Sequence, residues 1–195
     1  RFAYDNGAEA KYGMYVAYAG SKQKYEPSKI KQQGGYVGVS AAVKKDFAFA
    51  HLTANAGYLR NHPNTEWGKD AYNTKVGSIA AKTGVIFHYG ETKIIPAIHL
   101  AYLAIKSGDY TNAANARIEH ELMHVIEVKP ELKVTHDFED GLTGFIKAAY
   151  VADFYHNGKI KADTVLLRSM TVKPYVEYGV GVQKRFKEKF YYISF

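Results

Sequence analysis

The chain has 195 residues, carries a formal net charge of +7 from 26 Lys and Arg against 19 Asp and Glu, and contains no cysteine. Without cysteine it can form no disulfide framework, no Cys-ligated zinc site, no iron–sulfur cluster and no thiol nucleophile. No apolar run is long enough for a transmembrane helix, which leaves open a transmembrane β-barrel whose strands alternate polar and apolar residues. The length suits a single domain, which we expect to span residues 1–195.

Short polar turns recur along the chain at intervals of roughly 40 to 50 residues, enough for two strands and a loop. They are Asp5-Asn6-Gly7, Lys44-Lys45-Asp46, Gly90-Glu91, Glu139-Asp140-Gly141 and Lys187-Glu188-Lys189. Between them lie longer polar segments, at residues 21–35, 61–74, 107–117 and 156–169, which we predict to be long loops. Alternating short and long connections are typical of outer-membrane barrels, whose periplasmic turns are short and whose extracellular loops are long.

The segments between these connections alternate polar and apolar residues with the period of two that indicates β-strands. The clearest examples are residues 36–44, 48–58, 121–138, 144–156 and 171–186. Runs of about 9 to 15 residues can cross a membrane as tilted strands. We therefore predict an all-β fold, an antiparallel up-and-down transmembrane β-barrel with about eight complete strands and two partial ones.

The polar face of these strands carries charges of both signs, and we predict that it lines a water-filled lumen. The lumen-facing candidates are Glu127, Lys129, Glu131, Lys133, Lys147, Asp153, Lys173, Glu177 and Arg185. Because acids and lysines are interleaved, a neutralised lumen wall explains these residues better than acid–base catalysis does.

Alternation alone does not say which face of the strands points outward. A soluble, ligand-binding β-barrel such as a lipocalin, with the apolar face inside, is therefore an alternative. Aromatic residues near the strand ends, among them Tyr18, Tyr58 and Phe138, favour the membrane barrel, because such barrels carry aromatic girdles at both interfaces.

The segment His120-Glu121-Leu122-Met123-His124 matches the zinc-protease pattern, in which a helix places both histidines on one face. Alternation from Leu122 onward indicates a strand instead, and in a strand the two histidines lie about 13 Å apart, which zinc–nitrogen bonds cannot bridge. We predict no metal, no cofactor and no catalytic residue, and hence no enzyme. Basic residues spread over turns and inner faces also give no nucleic-acid-binding patch.

Three prolines, Pro96, Pro130 and Pro174, fall inside predicted strands. Proline removes a ladder hydrogen bond unless it lies at a strand start, an edge or a bulge. Pro96 and Pro174 lie near predicted strand starts, and at Pro130 we expect a bulge.

Several motifs, taken in order, resemble the C-terminal β-domain of autotransporters, the translocator of type V secretion. They are Lys11-Tyr12-Gly13-Met14-Tyr15-Val16-Ala17-Tyr18, Gly34-Gly35-Tyr36-Val37-Gly38-Val39, Ile94-Ile95-Pro96-Ala97-Ile98-His99-Leu100-Ala101-Tyr102 and Pro174-Tyr175-Val176-Glu177-Tyr178-Gly179-Val180-Gly181. The resemblance covers nearly the whole chain. It implies a pore in the bacterial outer membrane that anchors and exports an attached passenger segment to the cell surface. The implied partners are outer-membrane lipid, the chain's own passenger segment and the outer-membrane assembly machinery, with no nucleic acid.

Members of that family form a closed barrel of twelve strands with both chain ends in the periplasm. The number of periplasmic turns in that topology equals the number of short turns in this chain. Residues 1–4 would then end the second strand and residues 190–195 would begin the eleventh. We accordingly expect a fragment that lacks the first and last strands, shows two free sheet edges and forms no closed, conducting barrel alone. The alternative is a complete small outer-membrane porin or adhesin whose extracellular loops perform the function.

Overall fold

The structure is a computed structural model that describes residues 2–3, 8–26, 28–66, 68–138, 141–167, 172–186 and 189–194. The strands are β1 (Phe2–Ala3), β2 (Glu9–Tyr25), β3 (Ser28–Lys45), β4 (Ala48–Thr65), β5 (Gly68–Lys69), β6 (Tyr72–Val85), β7 (Phe87–Tyr89), β8 (Thr92–Ser107), β9 (Tyr110–Thr111), β10 (Arg117–His120), β11 (Met123–Asp137), β12 (Leu142–Asn157), β13 (Ile160–Ala162), β14 (Val165–Leu167), β15 (Tyr175–Phe186) and β16 (Lys189–Ser194). In these residues, no helix is long and apolar enough to cross a membrane.

The main sheet is an antiparallel meander in the order β1-β2-β3-β4-β6-β8-β11-β12-β15-β16, with β5 added to β4 and β7 added to β8. Chain neighbours pair throughout, so the strands run up and down, and the sheet curls into a half-barrel. This architecture confirms the predicted fold class. Over the described ranges, β1 and β16 do not pair with each other, which agrees with the expected pair of free edges.

Two of the predicted short turns are confirmed. Lys45 pairs with Ala48 around Asp46, whose φ is 51°, and Tyr89 pairs with Thr92 around Gly90, whose φ is 58°. Two-residue hairpin turns that match the twist of the flanking strands require a residue with positive φ, a conformation that Gly and Asp tolerate well. The turn predicted at residues 5–7 lies outside the described residues, as do residues 139–140 and 187–188 of the turns predicted at 139–141 and 187–189; Gly141 has a φ of 71°.

The prediction of long loops at residues 21–35 and 61–74 is wrong. The β2–β3 ladder continues through residues 21–35 to a final pair between Tyr25 and Ser28. Residues 61–74 fall mostly in β4, β5 and the beginning of β6. Beyond the apolar part of the sheet both faces contact water, so the side chains lose their apolar alternation while the backbone pairing continues.

The other two predicted loops contain a second antiparallel sheet, which we call the loop sheet, in the order β14-β13-β10-β9. It joins the connection between β8 and β11 to the connection between β12 and β15, with Ile118 opposite Ala162. Residues 107–117 and the described part of 156–169, up to Leu167, are thus partly structured. Backbone pairing between two connections far apart in sequence holds them together.

The prolines interrupt ladders in a way that follows from the missing N–H group. Pro96 of β8 lies opposite the break between β6 and β7. On one side of it, Thr92 to Ile94 pair with β7, and on the other side β8 pairs with β6 from Ala97 onward. Opposite β12, pairing is absent at Lys129 and Pro130, yet the register is the same on both sides of this gap. The bulge expected at Pro130 is therefore wrong, because no extra residue is inserted. Pro174 directly precedes β15, as expected of a proline near a strand start.

The two faces of the curled sheet differ in chemistry. On one face, large apolar side chains are exposed, including Met14 at 86%, Val16 at 83% and Val176 at 63%. The opposite face holds buried side chains such as Leu59 and Val151, the latter only 1% exposed. Because curling crowds side chains on the inside and spreads them on the outside, the apolar exposed face is the convex one and the crowded face is the concave one.

Tyrosine rings lie over glycines on the concave face. Tyr15 is directly opposite Gly38, and Tyr36 is directly opposite Gly57. A Cβ added to Gly57 would lie 2.2 Å from the Tyr36 ring, and one added to Gly38 would lie 2.4 Å from the Tyr15 ring. Each glycine therefore leaves the space that its partner ring fills, which packs β2, β3 and β4 without a bulky residue in every position.

Candidate functional site

The concave face carries most of the predicted lumen residues. Those in regular strand positions, all half-buried, are Glu127, Lys129, Glu131 and Lys133 in β11, Lys147 and Asp153 in β12, and Glu177 in β15. They alternate along their strands with exposed apolar residues such as Ile126 and Ile146. They therefore share the face of the buried Val151.

The remaining two lumen candidates differ in position. Lys173 precedes β15 and is exposed, so its placement inside a strand is corrected: β15 begins only at Tyr175. Arg185 lies in β15, where it pairs with Phe190 of β16.

Two ion pairs cross the concave face and each skips a strand. Lys82 of β6 contacts Glu131 of β11 with an Nζ–Oε1 distance of 2.6 Å, over β8. Lys129 of β11 contacts Glu177 of β15, over β12. Strands two apart are separated by about 9.6 Å in a sheet. Long side chains from β6, β11 and β15 nevertheless meet, because the curled sheet turns this face inward.

Further polar groups pair between adjacent strands. His99 Nδ1 lies 3.1 Å from Glu127 Oε1, and Lys93 forms an ion pair with Asp137. The Thr143 hydroxyl also donates to Asp137 Oδ1, at 2.8 Å. Several acids and bases on this face are thus paired within the wall.

Lys133 illustrates a different kind of contact on the same face. Its Nζ lies 4.5 Å from the centroid of the Phe145 ring, within the range of a cation–π interaction. It stands directly opposite Lys147 in the β11–β12 ladder. The ring thus stabilises one member of a pair of like charges.

A network of uncharged groups replaces the ion pairs near the loop end of the concave face. The Gln32 amide donates to Asn61 Oδ1 at 2.8 Å, and the Asn61 amide donates to Thr74 Oγ1 at 2.9 Å. Thr74 Oγ1 lies 2.9 Å from Ser107 Oγ. The network joins β3, β4, β6 and β8, and Asn61 is only 2% exposed. In the described part of the chain, every buried side-chain N or O atom has a hydrogen-bond partner.

Stacked rings hold the loop sheet against the main sheet. Tyr72 of β6 stacks on Tyr110 of β9 and His120 of β10, with ring centroids 5.0 and 5.3 Å apart. The backbone N–H of His120 donates to Asp109 Oδ1 at 2.8 Å, which holds the pKa of this carboxyl below its usual range. Burial lowers the pKa of the His120 imidazole, which favours its neutral form.

The zinc-protease pattern is divided between two strands. His120 ends β10, Glu121 and Leu122 lie between the strands, and β11 begins at Met123, so the continuous strand predicted from residue 121 starts two residues later. His120 Nδ1 lies 3.1 Å from the Gly108 carbonyl oxygen, whereas His124 Nδ1 lies 2.6 Å from the Tyr102 hydroxyl. In the residues that the structure describes, no group of three or more His, Asp or Glu is placed to hold a metal ion.

We expect the purified protein to contain no stoichiometric zinc, because these two histidines have different partners. Elemental analysis of the protein and of a His124→Ala variant should give the same zinc content, well below one equivalent. One tightly bound equivalent that disappears in His124→Ala would contradict the assignment.

Sequence reasoning missed two concave residues that form ion pairs, Lys82 and Lys93. Lys82 and His99 are directly opposite in the β6–β8 ladder. Side chains alternate between the two faces along a strand, and this alternation could have placed these residues on the polar face. Their acidic partners lie two strands away or in the adjacent strand, which alternation within one strand cannot show.

Three solved structures with a similar fold are autotransporter domains. The β domain of the Bordetella autotransporter BrkA matches with a TM-score of 0.80 at 16% sequence identity, covering 98% of this chain and 77% of that one. The transport unit of the autotransporter AIDA-I from Escherichia coli matches with a TM-score of 0.75 at 14% identity, covering 96% and 68%. The translocator domain of the autotransporter NalP from Neisseria meningitidis matches with a TM-score of 0.67 at 11% identity, covering 96% and 75%.

A protein-family model covers nearly the whole chain. No curated protein matches the chain. The family model described as the autotransporter beta-domain matches residues 2–191, which is nearly all of the sequence. The up-and-down sheet, its polar concave face and this match agree, and the chain belongs to the autotransporter β-domain family, as an outer-membrane translocator for a passenger.

Proposed function

We propose that the concave face, defined by Glu127, Lys129, Glu131, Lys147 and Glu177, is the wall of the aqueous path along which the passenger segment crosses the outer membrane. The observation that carries this proposal is the pairing of opposite charges across the wall, as between Lys82 and Glu131. Autotransporter translocator domains are transport pores, and we propose further that no side chain of this chain is catalytic.

Internal neutralisation suits a path for a polypeptide of varied sequence. An unpaired charge on a partly buried wall attracts opposite charges strongly, because its field is only partly screened by water. Glu131 and Glu177 instead face lysines within the wall. Passing side chains of either sign therefore meet a polar surface with little net field.

The proposal includes two further partners. Outer-membrane lipid would cover the convex face, where side chains such as Met14 and Tyr178 are each 86% exposed and would otherwise contact water. The outer-membrane assembly machinery would insert the strands. The support for this second partner is membership of the autotransporter family.

Disulfide trapping tests the path directly, because the chain contains no cysteine that would compete. The two test positions are consecutive: Lys147 on the concave face and Ile146 on the convex face. A passenger with one cysteine in its membrane-crossing segment, stalled during export, should cross-link to Lys147→Cys. It should not cross-link to Ile146→Cys, which serves as the matched control.

Cross-linking from Lys147→Cys, with little from Ile146→Cys, supports the concave path. Equal cross-linking from both positions contradicts it, as does cross-linking only from Ile146→Cys. Before the stall is imposed, added protease should reach the surface-exposed passenger in both variants. This result shows that each barrel is assembled.

A further inference from the structure

A group of basic residues lies on the convex face near the end that carries the loop sheet. We call it the basic band; its members are Lys22, Lys24, Lys29, Lys31, Arg60, Lys75 and Lys106, and all are exposed. The strand pairing places them on the same face as the apolar Val16. Along each strand, these convex residues alternate with residues of the concave face.

Like charges stand directly opposite each other within the basic band. Lys22 is paired with Lys31 and Lys24 with Lys29 in the β2–β3 ladder, and Lys75 with Lys106 in the β6–β8 ladder. Like charges at opposed positions destabilise a sheet. An anion bound between them would remove this repulsion.

Protein acids neutralise only part of the basic band. Lys24 contacts Glu26 at 3.0 Å and Lys106 contacts Asp109 at 3.8 Å. Among the described residues, no acid comes within 4.0 Å of the charged groups of the other five members. Most of the positive charge of the band is therefore available to a partner from outside the chain.

The basic band begins where the apolar convex surface ends. One row of paired residues across β2, β3 and β4 is Val16, Val37 and Ala56, and the next row toward the loops contains Tyr18 and Tyr58. Beyond the tyrosines in β2, β3 and β4 come the basic residues of those strands, while Lys75 stands directly opposite Tyr58 and Lys106 directly opposite Lys75. Because barrel aromatics lie at the membrane–water interface, the band lies at the height of the lipid headgroups.

Among the described residues, the other end of the same strands carries only one basic residue on the convex face, Lys45. Its convex row consists of Val43, Ala50, Thr83 and Ile98. In these strands the positive charge therefore faces mainly one leaflet, on the side of the loop sheet. Outer-membrane barrels carry their larger connections outside the cell, so this is the outward-facing leaflet.

We propose that the basic band binds the phosphate groups of phosphorylated glycolipid in the outward-facing leaflet. Opposed lysines such as Lys22 and Lys31 would share one phosphate, which offsets their mutual repulsion. The acyl chains of the same lipid would lie along the apolar convex surface next to Val16 and Val37. This proposal depends on the location of the barrel in the outer membrane and not on passenger export.

Binding can be measured with the protein folded in a mild nonionic detergent and titrated with lipid A as the phosphorylated glycolipid, using native mass spectrometry. We expect the wild-type protein to retain lipid A and the K22Q/K31Q/K75Q variant to bind it about 100-fold more weakly. Wild-type binding should also weaken as salt is raised, because the contacts are exposed. The charge-conserving K22R/K31R/K75R variant should bind close to the wild-type level.

The matched control is K11Q/K44Q/K45Q, which removes the same charge from exposed lysines at the short-turn end of β2 and β3. It should bind lipid A like the wild type. Heat-modifiable migration on SDS gels confirms that every variant is folded before it is titrated.

Equal weakening in the two glutamine variants would overturn the proposal, because the effect would then come from net charge alone. Unchanged binding in K22Q/K31Q/K75Q would also overturn it. Zwitterionic phosphatidylcholine should bind no better to the wild type than to the variant. Inorganic phosphate that displaces lipid A completely would show a free-anion site and likewise contradict a lipid site.

Discussion

We expect that replacing Ile146 or Val176 by arginine lowers the stability of the protein in a bilayer by about 2–4 kcal/mol. Both residues lie within long strands on the convex face, where they are 58% and 63% exposed in the absence of lipid. In the membrane this surface faces hydrocarbon, and Val176 is paired with Tyr150 in the middle of β12. An arginine on this surface must be desolvated or must thin the bilayer locally. Denaturant titration of refolding into lipid vesicles measures the change.

The control for these variants is a charge-to-apolar change on the other face. Lys147→Leu keeps the strand and removes a half-buried charge from the concave face next to Ile146. We expect it to cost less than either arginine variant. Normal folding of Ile146→Arg and Val176→Arg, combined with damage from Lys147→Leu, would indicate a water-soluble barrel whose apolar face points inward.

Replacing Gly34 by valine should be the most damaging of the glycine substitutions and should cost about 3 kcal/mol. A Cβ at this position would lie 2.0 Å from the Tyr58 carbonyl oxygen and 2.7 Å from the Leu59 Cα atom. Both atoms belong to the backbone of β4, which cannot move away without breaking its ladder with β3. Refolding equilibria, followed by heat-modifiable migration, report the loss.

Gly77 offers a matched control, because a Cβ added there meets no heavy atom within 4 Å. It lies in β6 among convex residues such as Ile79. Gly77→Val should be neutral or slightly stabilising, since a branched side chain favours a strand. Equal losses in Gly77→Val and Gly34→Val would show that the cost is one of strand propensity and not of the close approach between β3 and β4.

The strands that alternate cleanly were predictable from the sequence. β11 and β12 were predicted at residues 121–138 and 144–156 and are found at Met123–Asp137 and Leu142–Asn157. In these strands one face is apolar and the other polar, so the period of two is visible in side-chain chemistry. The curled up-and-down architecture follows from several such strands joined by short turns.

Structure beyond the apolar band was not predictable in the same way. The tip of the β2–β3 hairpin pairs lysine with lysine and contains no apolar alternation, so it was predicted as a loop. The loop sheet depends on pairing between β10 and β13, which belong to different connections. A period within one segment contains no information about such a partner.

The concave site was partly predictable. The alternation of polar and apolar residues along β11 placed Lys129 and Glu131 on the polar face. Their partners, Glu177 and Lys82, lie two strands away and meet them only because the sheet curls. Curvature is a property of the whole sheet, and no single strand encodes it.

The most direct test of a membrane-embedded wall with one wet face is water accessibility along β12, one residue at a time. Single cysteines at Ile146, Lys147, Asp153 and Phe154, introduced into the cysteine-free chain, are treated in isolated outer membranes with a water-soluble thiol reagent. Labelling should be strong at Lys147 and Asp153 and weak at Ile146 and Phe154. Strong labelling at Ile146 and Phe154, with protection at the other two positions, would contradict the assignment of the convex face to lipid and the concave face to water.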